Sequence, residues 1–169
     1  MPLFLQRPAD GEYNPYYDKY IAKVPDGDFI EVLARQADET LSLLRALPDD
    51  AADHAYAEGK WTIKEVIGHL CDAERIFGYR LLRIARGDET ALPGFDENAY
   101  TPAGEFGART LASMLEEIAV VAGSYGGPDY TSVVKSFDPV PLRQTQPFKH
   151  NKKNSAELWV VFLLRGHFR

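Results

Sequence analysis

WTIKEVIGHLCDAERIFGYRLLRIAR, residues 61–86, is the stretch whose reading decides the fold. Thr62 and Glu65 stand three apart, and they form a capping box. The Thr62 hydroxyl can accept from the Glu65 amide, and the Glu65 carboxylate can reach back to the Thr62 amide. Trp61 lies just outside the helix start and can pack on Val66 as a hydrophobic staple. Ile63, Val66, Ile67, Leu70, Phe77, Leu81 and Ile84 recur at spacings of three, four and seven, the signature of one buried helical face. Gly87 follows, so the pattern predicts a helix running to about Arg86.

Working outward, Asp28 before Phe29-Ile30-Glu31 is a plausible N-cap with an acid at the third position. Val32, Leu33, Leu41, Leu43 and Leu44 continue a helical pattern that Pro48 and two aspartates stop. Upstream, residues 1–27 hold five tyrosines or phenylalanines, four prolines and two glycines without a helical period. They read as an aromatic arm packed on a domain that spans 28–169. Downstream, residues 87–108 form a connection of about twenty residues, long enough to cross the end of a bundle. Helical spacing resumes from about Ala108 through Leu111, Met114, Leu115, Ile118, Val120 and Val121. Gly123, Gly126, Gly127 and Pro128 interrupt it. A short segment from Tyr130 to Phe137 can resume the helix before Pro139 and Pro141 close it. Residues 142–154 are a polar, basic second connection. Ser155 then caps a last helix that is apolar on every side from Leu158 to Leu164, and such a helix is usually buried all round. Four main helices and two long connections make an all-α four-helix bundle.

The 169 residues fit one domain, and 45% hydrophobic with 26% charged residues is a globular composition. A formal net charge of −6 gives no steering toward phosphate backbones, so nucleic acid is not an expected partner. The longest apolar run, Leu158–Leu164, is far short of the roughly twenty residues a membrane span needs. No secretory signal is visible at the start. The single cysteine, Cys71, cannot form an internal disulfide, which fits a reducing, cytoplasmic setting.

Chemistry concentrates on few residues. His69 lies at the edge of the apolar stripe of the 61–86 helix. His167 follows Leu164, Leu163 and Val160 by three, four and seven residues and so shares a face with the last helix. Two imidazoles projecting toward one end of a bundle can share a divalent ion, for which neutral imidazole suits Zn²⁺ or Ni²⁺. Each can equally be a hydrogen-bonded histidine at the core edge. His54 and His150 fall in connections and read as solvated. Glu74 stands on the apolar stripe itself, so it must be paired, ligated or protonated. Structural pairing and support of a metal ligand both remain open. Asp72 and Arg75 can pair across one helical turn at the surface. Cys71 reads as a small buried hydrophobe. Lys149, Lys152 and Lys153 around His150 make a small basic patch that reads as a solvated loop. The chain has no Gly-rich phosphate loop and no Cys-x-x-Cys pair.

The segment from Lys60 to Arg75 resembles the DinB-like (DinB/YfiT) superfamily. Phe95-Asp96-Glu97-Asn98-Ala99-Tyr100 is similar to that family's crossover, and Leu163-Leu164-Arg165-Gly166-His167-Phe168-Arg169 to its ending. The resemblance implies an up-down-down-up course and a divalent metal, Zn or Ni, held at one end by three histidines. One sits on the second helix, matched by His69, and two sit four apart on the last, where His167 matches one. If His167 is the first of that pair, its mate falls beyond Arg169; if it is the second, Leu163 stands in the ligand's place. The family includes transferases and isomerases that use low-molecular-weight thiols, and hydrolase activity has been suggested for others. By implication this chain is a metal-dependent, thiol-dependent transferase or hydrolase acting on a small-molecule substrate. The competing reading is a non-catalytic, stress-related binding or interaction bundle with an incomplete site. A homodimer is compatible with either.

Overall fold

The structure, a computed structural model, describes residues 15–26, 29–86, 88 and 90–123. Five α-helices lie among them: α1 (Asp18–Ile21), α2 (Phe29–Arg45), α3 (Ile63–Ala85), α4 (Glu97–Ala103) and α5 (Leu111–Gly123). Short 3-10 turns cover Pro15–Tyr17, Asp49–Asp53 and Phe106–Ala108. The molecule is thus an all-α bundle in which α5 packs against both α3 and α2. The expected last helix, with Ser155 and Leu158–Leu164, and the segment from 124 onward lie outside the described residues, as does Asp28. So does most of the arm; its described end carries α1, and Ile21 and Val24 there are buried.

The capping box forms as read. The Thr62 amide donates to Glu65 Oε2 at 2.7 Å, and the Glu65 amide donates to Thr62 Oγ1 at 3.2 Å. Just upstream, Ala55 and Thr62 make an isolated antiparallel bridge, and the Ile63 amide donates to the His54 carbonyl at 3.1 Å. The chain therefore enters α3 with its first amides already paired. The tight reversal at 57–60 needs Gly59, whose φ of 70° is a left-handed conformation open to glycine.

The stripe of α3 is buried at Ile67, Leu70, Phe77 and Leu81. On α5, Leu111, Met114, Ile118 and Ala122 are buried at spacings of three and four. The two faces meet with Leu44 of α2, Ala52, Cys71 and Phe106 in one core cluster. Each such large aliphatic side chain contributes roughly 1.5–3 kcal/mol by leaving water.

The first connection differs from its sequence reading. It carries α4, capped by the Asp96 carboxylate accepting from the Asn98 amide at 3.0 Å. A helix of seven residues with Pro102 inside it shows no apolar period, and so it escaped notice. What holds it is tertiary. Gly68 on α3 lies against the Cγ end of the Phe106 ring and Gly104 after α4 against its Cζ end, and a Cβ added at either would stand 2.4 Å from a ring carbon. Glu105, between Gly104 and Phe106, takes a left-handed φ of 48°, which costs a non-glycine residue roughly 1–2 kcal/mol. Burying Phe106 offsets that strain. Among the described residues no helix is long and apolar enough to cross a membrane.

Candidate functional site

His69 stands on the second turn of α3, half-buried. Its ring meets Trp61, with centroids 5.0 Å apart and planes inclined by 48°. The aromatic expected as a staple therefore reaches along α3 to cover the histidine. Behind His69 the backbone is fixed by Gly68 lying against Phe106. Five residues earlier on α3, and so about 140° around the helix, buried Lys64 ties α3 to two short turns. Its Nζ lies 2.9 Å from Asp53 Oδ1 and donates to the Gly107 carbonyl at 3.4 Å. The start of α3, which carries the histidine, is thus tied to both of these turns at one end of the described bundle.

Asp72 lies one turn on from His69, within reach of its electrostatic influence, and its carboxyl is pushed up, first by burial. Arg75 accounts for much of the charge there. It lies 3.8 Å from Asp72, as its spacing foretold, but its closer partner is Glu117 of α5 at 2.5 Å. Glu117 also accepts from Arg109, whose other nitrogen donates to Ser113 Oγ at 2.8 Å. Burial opposes ionisation of Glu117, yet the hydrogen bonds from Arg109 and Arg75 outweigh it and hold the carboxyl below its ordinary range. This bridge joins α3 to α5. No local sequence pattern could have revealed it, because Glu117 is 42 residues from Arg75.

Cys71 is 1% exposed and belongs to the core, as read. Burial, reinforced by the Glu117 charge, pushes its thiol up to about 12. Glu74 is likewise buried, so the helical phase of α3 was read correctly. It lines a small crevice with Ala37, Thr40, Leu41, Leu70, Ile118 and Ala122, at the junction of α2, α3 and α5. Five residues on a helix turn about 140° and rise about 7.5 Å. Glu74 therefore serves that junction and lies on a different face from His69. His54 is exposed in its connection, as expected. His150, His167 and the three lysines beside His150 lie outside the described residues.

Among the described residues no three His, Cys, Asp or Glu side chains come together in a way that could hold a metal ion. His69 is chemically suited to be one ligand, but this part of the chain does not complete a site by itself.

Comparison with known proteins gives the family. The chain is 28% identical over 92 residues to "Putative metal-dependent hydrolase YfiT" of Bacillus subtilis (strain 168), covering 54% of this chain and 50% of that protein. It is 30% identical over 92 residues to "Putative metal-dependent hydrolase OB0413" of Oceanobacillus iheyensis, covering 53% of this chain and 51% of the relative. The chain spans about half the length of the relatives it matches. No solved structure matches it. Residues 33–162, most of the chain and including most of α2 and all of α3, the crossover and α5, match the DinB superfamily, and the chain belongs to that superfamily.

Proposed function

We propose that this chain is a helical-bundle binding protein with an incomplete divalent-metal site, to which His69 and His167 are the two ligands. One observation carries the reading. On the part of the fold that presents His69, no second and third ligand converge with it among the described residues. Two imidazoles leave half of a four-coordinate Zn²⁺ shell to weakly held solvent, so such an ion exchanges readily. The family domain in this proposal occupies 28–169, with 1–27 as an arm laid along it, and the last helix completes a four-helix, up-down-down-up course. A cytoplasmic setting is part of it, supported by a lone cysteine kept as a buried thiol.

A second reading is supported by the names of the two relatives. In it, a third ligand completes the site, and the protein is a metal-dependent hydrolase or thiol-dependent transferase. A metal would then supply Lewis acidity to a bound water or thiol. The residues of this chain would hold His69 in place through Trp61 and the Gly68–Phe106 contact. Cys71, buried in the core, is not placed to act as the thiol.

The two readings separate in one set of measurements. In a Trp159→Phe chain, Trp61 is the remaining tryptophan, and it sits against the ligand. Ni²⁺ binding should quench its fluorescence, and His69→Ala should abolish the quenching. For an incomplete site, metal leaves on dialysis and calorimetry with Zn²⁺ shows weak binding. Tight one-to-one binding, together with ester hydrolysis or thiol transfer removed by chelator and restored by metal, would establish the second reading instead.

A further inference from the structure

Residues 96–108 carry α4 and the 3-10 turn after it, and both elements pack on α3. Their hold on α3 is narrow. Between Asp96 and Ala108, Thr101 and Phe106 are buried and every other residue is exposed. The Thr101 hydroxyl is satisfied within α4, where it donates to the Glu97 carbonyl at 2.8 Å. Phe106, 7% exposed, is therefore the large apolar side chain that this stretch commits to the core cluster. The Lys64 ammonium also donates to the Gly107 carbonyl, at a long 3.4 Å. Backbone hydrogen bonds of the stretch stay inside it. The Tyr100 amide donates to the Asp96 carbonyl at 3.0 Å, Gly104 to Tyr100 at 2.9 Å, and Ala108 to Glu105 at 3.0 Å. A helix of seven residues does not stand alone in water, so its order depends on the ring that follows it.

The two ends of the stretch are tethered separately. Upstream, Arg80 donates to the Pro93 carbonyl at 2.7 Å. Downstream, Arg109 donates to Ser113 Oγ at 2.8 Å and pairs with Glu117. Both tethers lie outside 96–108, so they can hold while the residues between them move. The seat of the ring is tight, with Gly68 at its Cγ end, Gly104 at its Cζ end and no room for a Cβ at either. A ring in such a seat is either in or out, because close-packed contacts switch between arrangements and do not stretch. Glu105, just before the ring, is held at a left-handed φ of 48°. The closed arrangement carries that strain and the open one sheds it.

We infer that residues 96–108 are a strap that lifts from α3 as one unit, with Phe106 as its latch and Glu105 as a strained joint that favours release. Lifting withdraws the ring from Gly68, the residue next to His69, and uncovers that side of α3 while α3 and α5 stay packed together. The strap is a property of the fold, whether or not His69 holds a metal.

Native-state hydrogen exchange on the full 169-residue chain, followed amide by amide through a series of low urea concentrations, tests this. The Tyr100, Gly104 and Ala108 amides should exchange through one shared opening. That opening should be at least about tenfold more frequent than the one that exposes the interior amides of α3 and α5, with a smaller urea dependence. In Phe106→Ala, the three amides should lose at least about tenfold of their protection, and the interior of α3 should stay better protected than they are. Glu105→Gly keeps the latch and relieves the joint, so exchange of the three amides should slow roughly two- to fivefold. The inference is overturned if these amides match α3 and α5 in rate and urea dependence, or if they open independently of one another. It is equally overturned if folded Phe106→Ala leaves their protection unchanged, or if Glu105→Gly does not slow them. Should Phe106→Ala lose its helical circular dichroism, the unaltered chain and Glu105→Gly decide alone.

Discussion

The two ends of α3 are held by different physics. At its start, the restraints are short and close to the backbone: a reciprocal capping box, a bridge to the preceding turn, and a phenylalanine ring packed against two glycines. At its far end, a long side chain reaches over an exposed ring: Arg83 donates to Asp88 and to the Tyr79 hydroxyl. Contacts of the first kind tolerate little displacement, because packed interiors behave as solids. Those of the second kind can be remade through solvent at small loss. His69 sits at the rigid end, and a metal ligand needs fixed geometry.

The sharpest test of this contrast is Gly68→Ala. Alanine is the better helix former by about 1 kcal/mol, so on propensity alone the change should stabilise. The new Cβ, however, would stand 2.4 Å from the Cγ end of the Phe106 ring, whose Cζ end lies against Gly104. We expect a net loss of about 1–3 kcal/mol, read as a lower urea midpoint at unchanged slope. A rise in the midpoint would show that the rigid end yields and would remove the distinction.

Glu117→Gln comes next. It deletes the charge that ties α5 to α3 through Arg75 and Arg109, and a loss of about 1–2 kcal/mol at neutral pH is expected. Because the Glu117 carboxyl is depressed in the folded state, its contribution is present above the ordinary carboxylate range and is lost as pH falls through that range and below. The gap between wild type and variant should therefore close below about pH 4. Asp72 and Cys71 also face Glu117 from α3, and both are pushed up, so neither can account for a gap that closes in acid. A gap that holds steady down to pH 3 would assign the effect to packing.

Glu65→Ala removes one half of the capping box and should lower stability by about 1 kcal/mol, with the helical signal retained. Asp88→Asn, at the adaptable end, should have the smallest effect of all. Arg83 holds the Asp88 carboxyl well below its usual range, so any contribution is present at neutral pH and lost in acid. The pair is solvent-facing, however, and thermal unfolding should show a midpoint within error of wild type. A clear loss there would mean that the far end is as firmly built as the near one.

The same contrast explains what was legible in the sequence. The start of α3 could be read residue by residue, because Thr62 and Glu65 are three apart and their interaction depends on little else. The phase of the stripe placed Glu74 and Cys71 in the interior correctly. The crossover was harder. Asp96 is a good N-cap, but seven residues cannot display a period, and the Phe106 contact with Gly68 joins positions 38 apart. Arg75 was matched to Asp72 by proximity in the chain, whereas its shorter contact is with another helix. For the candidate site, His69 and its helix were accessible from pattern alone. Its Trp61 neighbour was seen only as a staple, since ring orientation depends on how the chain enters the helix.

The burial of Cys71 has a practical consequence. It is the single cysteine of the chain, and it packs in the cluster that joins α2, α3 and α5. A thiol-alkylating reagent can reach it only when that cluster separates. Labelling therefore acts as a clock for opening of the helix junction, with no probe to be engineered. When opening and reclosing are fast relative to alkylation, the labelling rate gives the population of the opened form directly. Comparing that rate in Gly68→Ala and Glu117→Gln chains would show whether the junction opens as one unit or α5 leaves first.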